Sequence, residues 1–290
     1  MPELPEVETV KRGLNKLIVG RKIVAARHDN PKSFPNFEFD VNQFLMNATI
    51  KEVRRRAKVL LIDLSTDYTL VIHLKMTGQL VFVNNKKRFG AGHPNDSLVG
   101  TLPDKSTRVT FDFADGSHLY FNDQRKFGWV RLMPTLEVPN IDFMKKVGPE
   151  PLEVDFTVAE FISRFKKRAK TTIKAALLDQ TVIAGVGNIY ADESLWGAEI
   201  HPGRQVGTIT DEEFKKLYTE VRFVMNLSIE KGGSTNRNYV NAEGKKGSYM
   251  DFARVFRREG LPCPRCGTTI IKLKVAGRGT HICPHEQILK

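Results

Sequence analysis

The sequence predicts an α+β chain of more than one domain: a sheet domain behind a leading helix, a small helical domain, and a short β unit around cysteines. Two changes of hydrophobic period and one cysteine cluster predict it. Up to about Met133 the apolar residues fall in β-branched and aromatic runs, several alternating with polar ones; from Thr157 they recur at helical spacing. All three cysteines lie in the last thirty or so of the 290 residues. That length allows two domains of ordinary size, each burying its own core.

Val7, Val10, Leu14, Leu17 and Ile18 mark the leading helix, entered through Pro5 and ended at Gly20. "KIVAARH", "TIKEVRRRAKVLLIDL", "YTLVIHLKM", "QLVFV", "RVTFDF", "HLYFND" and "GWVRLM" follow as strand-forming runs, with turn signals such as "ADGS" between them. "MPTLEVPNID" carries two prolines and reads as a linker. Thr157 with Glu160, and Thr210 with Glu213, stand at capping-box spacing at the start of two helices. Between them lie "IKAALLDQ" and a short helix after Asn188. "GGSTNRNYVNAEGKKGSY" has no period and reads as a long mobile loop, a kind of segment that is usually functional or disordered. These shifts place the parts at residues 1–133, a linker 134–150, helices 151–231, the loop 232–248 and the cysteine unit 249–290.

The formal net charge is +12 and the pI about 9.6, which predicts attraction to a polyanion. Basic residues are spread through "KEVRRRAK", "FKKRAK", "NAEGKKG" and "ARVFRREG", so the partner should meet a folded surface rather than a tail. A solvated basic face kept for solubility is the plainer reading. No apolar run approaches the roughly 20 residues that span a bilayer. The N-terminus lacks the pattern of a signal peptide, which makes the cytoplasm the expected compartment.

Cys263 and Cys266 stand at knuckle spacing in "CPRCG", and Cys283 follows after sixteen residues. Thiolates at this spacing suit zinc. A fourth cysteine three residues beyond Cys283 would complete the site, but that position is Glu286. Glu286, His285 and His281 all carry donors that zinc accepts, so the fourth ligand is left open; a hairpin held by packing alone is the bland alternative.

"GVGNIY" is a glycine turn opening a helix, suited to a phosphate through its amides and Asn188, or required only for steric reasons. In "IHLKMTG", His73 and Met76 lie near a strand end, where core packing is the ordinary outcome. In "NDQRKFGW", Arg125 and Phe127 fall on one side of an extended segment, a pair suited to stacking or insertion at a basic surface, although core packing of Phe127 is commoner. At the N-terminus, removal of Met1 from "MPELPE" would leave Pro2 as a free secondary amine. An α-amino group, with a reference pKa near 8, is more often unprotonated than a lysine and can attack an electrophilic sugar carbon. Glu3 beside it could act as acid or base. The competing reading is that Pro2 and Pro5 simply shape the entry to the helix.

Six stretches in order, "PELPEVET", "RRRAKVLL", "HLKMTG", "NDQRKFG", "IKAALLDQTVIAGVGNIYADESL" and the cysteine unit, closely resemble the bacterial formamidopyrimidine-DNA glycosylases, or 8-oxoguanine DNA glycosylases, over essentially the whole chain. The resemblance implies an N-terminal β-sandwich with a leading helix, a helix-two-turn-helix domain and a zinc finger, with duplex DNA bound between the halves of a monomer. It implies excision of oxidised purines, 8-oxoguanine and formamidopyrimidines, followed by strand cleavage at the abasic site by β,δ-elimination. Pro2 would be the nucleophile on C1′, forming a Schiff base; Glu3 would protonate the sugar. Lys58 would contact phosphate and assist β-elimination, and Arg278 would hold phosphate and serve δ-elimination. Met76, Arg125 and Phe127 would fill the void left by the everted nucleotide, Arg125 facing the orphaned cytosine. His73, Lys170, Lys174 and Asn188 would contact phosphates, and the loop 232–248 would cap the everted base. The implied setting is the bacterial cytoplasm, at the nucleoid.

The chain departs from the family at three places: Glu286 replaces the fourth zinc cysteine, "DQRKFG" stands for the usual "DPRRFG", and Ser106 and Arg108 occupy a stretch that commonly carries histidines. Two other functions compete. An endonuclease VIII-like glycosylase would attack oxidised pyrimidines with the same amine, but "PELPE" rather than "PEGPE" counts against it. A non-catalytic damaged-DNA-binding protein would not need Pro2, Glu3 and Lys58 together.

Overall fold

The computed structural model describes residues 2–93, 95–234 and 249–289. They divide into two compact units, the first of Met1–Lys145 with Lys231–Tyr249 and the second of Lys146–Glu230 with Met250–Lys290.

The first unit opens with α1 (Leu4–Ile18), whose Val7, Val10, Leu14 and Ile18 are all buried, as their spacing predicts. Nine strands follow: β1 (Ile23–His28), β2 (Ile50–Arg56), β3 (Val59–Leu64), β4 (Tyr68–His73), β5 (Gly78–Val83), β6 (Arg88–Gly92), β7 (Thr107–Phe113), β8 (His118–Asp123) and β9 (Trp129–Pro134). A short turn of helix, α2 (Glu38–Asp40), lies between β1 and β2. The strands form two antiparallel sheets, ordered β1-β7-β8-β5-β6 and β2-β3-β4-β9. One core contains inward residues of both sheets, such as Ile62, Leu70 and Ile72 with Phe82, Phe111 and Phe121, together with the apolar face of α1. This is the expected sandwich with its leading helix.

The run from Thr49 to Leu64 is two strands rather than one, because Ala57 takes a left-handed conformation (φ 52°) and turns β2 back onto β3. β6 carries no strand signal in the sequence: "RFGAG" has two glycines in five residues, and it pairs because β5 offers it an edge from Gln79 to Val83. Beyond β9 the linker holds a 3-10 turn (Thr135–Asn140) and α3 (Asp142–Lys146).

The second unit contains α4 (Val158–Lys166), α5 (Ile173–Leu178), α6 (Asn188–Gly197) and α7 (Asp211–Glu230), then the hairpin β10 (Ile271–Val275) and β11 (Arg278–Ile282). The caps form as expected. Thr157 Oγ1 accepts from Glu160 N–H at 3.2 Å. Thr210 and Glu213 close a full reciprocal box, Glu213 N–H to Thr210 Oγ1 at 3.2 Å and Thr210 N–H to Glu213 Oε2 at 2.8 Å. α4 and α6 pack on α7, with Phe161, Phe165 and Phe214 fully buried against one another. The helices and the cysteine hairpin thus share one unit. No helix among the described residues is long and apolar enough to cross a membrane.

Candidate active site and nucleic-acid interface

Pro2 and Glu3 are buried at the N-terminal end of α1, and Glu3 is its cap residue. Glu6, one turn on, has a carboxylate shared between two backbone amides. Glu3 N–H donates to Oε2 at 2.7 Å and Ser234 N–H to Oε1 at 2.7 Å. The cap therefore also anchors the root of the loop expected at 232–248, of which residues 235–248 lie outside the described residues.

Lys58 sits in the β2–β3 turn and is buried, at 6% exposure. The turn is tied to α1 by the ion pair of Arg55 with Glu8 (2.9 Å), while Arg55 Nη1 also donates to Ala57 O at 3.0 Å. Burial alone would raise the Glu8 carboxyl, but hydrogen bonds from Arg55 and Arg12 outweigh it and hold it below the usual carboxylate range. The helix that presents Pro2 and Glu3 and the turn that presents Lys58 are thus braced through one salt bridge. Glu6, Glu8 and Arg55 carried no assigned role in the sequence; Glu6 and Glu8 on either side of Val7, among the apolar positions of the leading helix, are the signal that could have found the two glutamates.

His73 lies beside Lys58, since β3 begins with Val59 opposite it. Burial first, then the charges of Lys75 and Lys58, push its imidazole down to about 3. Its Nδ1 accepts from Lys75 N–H at 3.0 Å, so the single ring proton of the neutral form is on Nε2. His73 is available to a phosphate as a neutral donor, not as a cation.

Met76 is at the tip of a tight turn after β4. Gly78 N–H donates to Leu74 O at 2.8 Å, and a Cβ at position 78 would lie 2.3 Å from that oxygen, so only glycine closes the turn. Met76 is 37% exposed and Phe127 is 54% exposed. Core packing, the ordinary expectation for both, does not hold. Arg125 and Phe127 do not lie on an extended segment either: residues after β8 form a turn, with Lys126 left-handed at φ 59°. The turn brings the Arg125 guanidinium over the Phe127 ring at 4.8 Å. Ser106 and Arg108 are both buried and held by hydrogen bonds within the first unit.

In the second unit Lys170 is exposed, before the cap residue Thr172. Lys174 corrects the expectation of a phosphate contact. It is 0% exposed, with Nζ on Asp192 Oδ1 at 2.6 Å and on Thr280 Oγ1 at 2.7 Å. A lysine enclosed in this way reaches no phosphate; it joins α5 to α6 and to β11. Asn188, the first residue of α6, points its Nδ2 at Gly279 O (3.0 Å). Asp192 also accepts His281 N–H at 2.9 Å, and Glu193 accepts the N–H groups of Arg254, Val255 and Phe256. These contacts hold the base of the hairpin on whose β11 the exposed Arg278 begins. Two acidic residues inside the apolar stretch "NIYADESLW" were the legible sign of this anchoring.

Cys263, Cys266 and Cys283 bring their sulfurs within 4.8 Å of one another, and Cys266 has His285 and Glu286 donors within the same distance. Cys263 receives the amides of Arg265 and Cys266, and Cys283 those of His285 and Glu286. Both knuckles therefore have the amide-to-sulfur bonds of a thiolate metal site, including the one that lacks its second cysteine. The donor set fits zinc. His281 is not part of it: the ring is buried, with Nδ1 on Asp192 at 3.2 Å. Glu286 pairs with the Arg265 guanidinium, which lies over the Trp196 ring at 4.1 Å.

A sandwich with a leading helix, a helical unit and a cysteine hairpin, in this order, define the class of DNA glycosylases with a helix-two-turn-helix plan. Three family models match: the formamidopyrimidine-DNA glycosylase N-terminal domain over residues 1–130, its H2TH domain over 147–240, and the zinc finger found in FPG and IleRS over 260–285. The formamidopyrimidine-DNA glycosylase of Ligilactobacillus salivarius is 43% identical over 100% of both chains. Among solved structures, a Lactococcus lactis Fpg complex with abasic-site DNA matches with TM-score 0.86 at 37% identity, covering 99% of each chain. A Lactococcus lactis FPG variant with DNA containing Fapy-dG matches with TM-score 0.86 at 36% identity, covering 99% of this chain and 100% of that one. The chain belongs to the formamidopyrimidine-DNA glycosylase family.

Proposed function

We propose that the chain excises oxidised purines from duplex DNA and then cleaves the strand. The observation that carries this reading is the buried placement of Pro2 and Glu3 at the end of α1, in a chain alignable end to end with formamidopyrimidine-DNA glycosylases. With Met1 removed, the Pro2 amine attacks C1′ while Glu3 protonates the opening sugar; the C1′–N bond to the base breaks and the base leaves protonated. The resulting Schiff base acidifies the C2′ protons. Lys58 assists loss of one of them with the 3′-phosphate, and Arg278 holds the 5′-phosphate that departs in the second elimination. Met76, Arg125 and Phe127 enter the space vacated by the nucleotide, whose extrusion costs a few kcal/mol. His73, Lys170 and Asn188 hold phosphates.

Residues 1–133 carry the chemistry, 151–231 and 249–290 grip the duplex, 134–150 link them and 232–248 cap the everted base. The protein acts as a monomer in the bacterial cytoplasm, at the nucleoid. Zinc, held by Cys263, Cys266, Cys283 and Glu286, makes the hairpin rigid. Glu286 is favoured over His285 because its side chain is largely enclosed, at 11% exposure, whereas His285 is exposed.

The test is borohydride trapping on duplex DNA containing 8-oxoguanine opposite cytosine, with the mass of the intact protein establishing loss of Met1. A covalent adduct is expected, and Pro2→Gly should lose it. DNA binding without an adduct would favour the non-catalytic alternative, and much better trapping on oxidised pyrimidine DNA would favour the endonuclease VIII-like one.

A further inference from the structure

Met76 and the Arg125–Phe127 pair come from different loops, yet a duplex void must be filled by all three together. One buried carboxylate joins the loops. Asp123, at the end of β8, is 0% exposed. Its Oδ1 accepts the hydroxyl of Thr77, the residue after Met76, and the Arg125 N–H at 3.2 Å. Its Oδ2 accepts Gly128 N–H at 2.7 Å. Arg125 N–H also reaches Thr77 Oγ1 at 3.1 Å, so hydroxyl, carboxylate and amide close a ring between the two turns. Gly128 is needed at this spot: a Cβ there would stand 2.6 Å from the Phe121 ring and 3.1 Å from Asp123 Oδ2.

The main chain of Asp123 is held just as firmly. Its N–H donates to Ser106 O at 2.8 Å, and Arg108 Nε donates to its carbonyl at 2.9 Å. The rest of the Arg108 guanidinium binds Asp29 and the Lys105 carbonyl. Ser106 and Arg108 therefore fix the base of the turn. A buried carboxylate is stable only when its lone pairs are satisfied, and here both oxygens face N–H or O–H donors. An amide could not replace it without aiming an NH2 at one of those donors.

We propose that Asp123, through Thr77, is the positioning residue that makes Met76, Arg125 and Phe127 one rigid wedge. This rests on the glycosylase reading above. Hydrogen bonds to charged groups are the stronger kind, so loss of register should cost about 10- to 100-fold in excision of 8-oxoguanine from a duplex. It should cost much less on a single-stranded oligonucleotide with one abasic site, which has no stack to open and no partner strand to leave a void.

The experiment compares borohydride trapping and single-turnover rates of the full chain, Asp123→Asn, Thr77→Val and Thr77→Ser on both substrates. Expected are a fall of about 10-fold or more on the duplex with Asp123→Asn and Thr77→Val, a change of under about threefold on the single strand, and recovery with Thr77→Ser. Equal losses on the two substrates, or an unchanged duplex rate with Thr77→Val, would overturn the proposal. Should Asp123→Asn fail to fold, the threonine pair decides alone. Absence of any adduct with the unsubstituted chain would instead overturn the glycosylase reading, and this inference with it.

Discussion

Lys174 and His73 show how far a side chain's setting can change its chemistry. Both were expected to hold phosphates; one is enclosed with Asp192 and the other is kept neutral. For His73 the depressed value has a consequence for stability. Between about 6.5, its ordinary value, and about 3, the unfolded chain binds a proton at this site that the native chain does not. Stability is therefore lost as pH falls through that window, by at most about 1.4 kcal/mol per pH unit for one group. Urea unfolding midpoints measured from pH 7 to 4 should decline less steeply in His73→Asn than in the parent chain. His93 and His201 are also pushed down by burial and contribute in the same direction, so the difference between variant and parent isolates His73.

At the scale of elements, the hairpin and its two knuckles are the most exacting piece. The second knuckle keeps the backbone of a thiolate site while presenting a carboxylate, with Arg265 paired to it. Oxygen in place of sulfur should weaken the hold on zinc without abolishing it. Titration with a chelator is expected to strip zinc from the parent chain at lower concentration than from Glu286→Cys. With cobalt substituted for zinc, the visible spectrum should change in Glu286→Ala and stay unchanged in His285→Ala; the reverse pattern would make His285 the fourth ligand. α1 and the β2–β3 hairpin form a second such element, joined by Glu8 and Arg55, which lie far apart in sequence and whose side chains are each only 9% exposed.

For the whole molecule, charge sets the conditions of binding. A net charge of +12 distributed along both halves of the sequence should release several counterions from a bound duplex. Affinity for undamaged DNA is expected to fall by about 10³-fold or more between 50 and 200 mM salt, if the chain makes about six phosphate contacts. Fluorescence anisotropy across that range measures the slope, and a flat response would mean that the basic residues serve solubility alone.

The sequence by itself determined what depends on neighbours along the chain: the period of α1, the N-caps of α4 and α7, and the cysteine spacing. Each is a local pattern, because helix periodicity, caps and knuckles are closed by residues within a few positions of one another. Tertiary structure decided the rest. β6 exists because β5 offers an edge; Phe127 is exposed because the turn after β8 lifts it out; Lys174 is enclosed because Asp192 and Thr280 meet it from α6 and β11. Asp123 is the clearest case, since its partners Thr77 and Arg125 lie 46 residues before it and 2 after it. No local period records such a pairing: burial and hydrogen-bond closure are properties of the packed chain, and two residues so far apart share a carboxylate only once the sheet has brought their strands side by side.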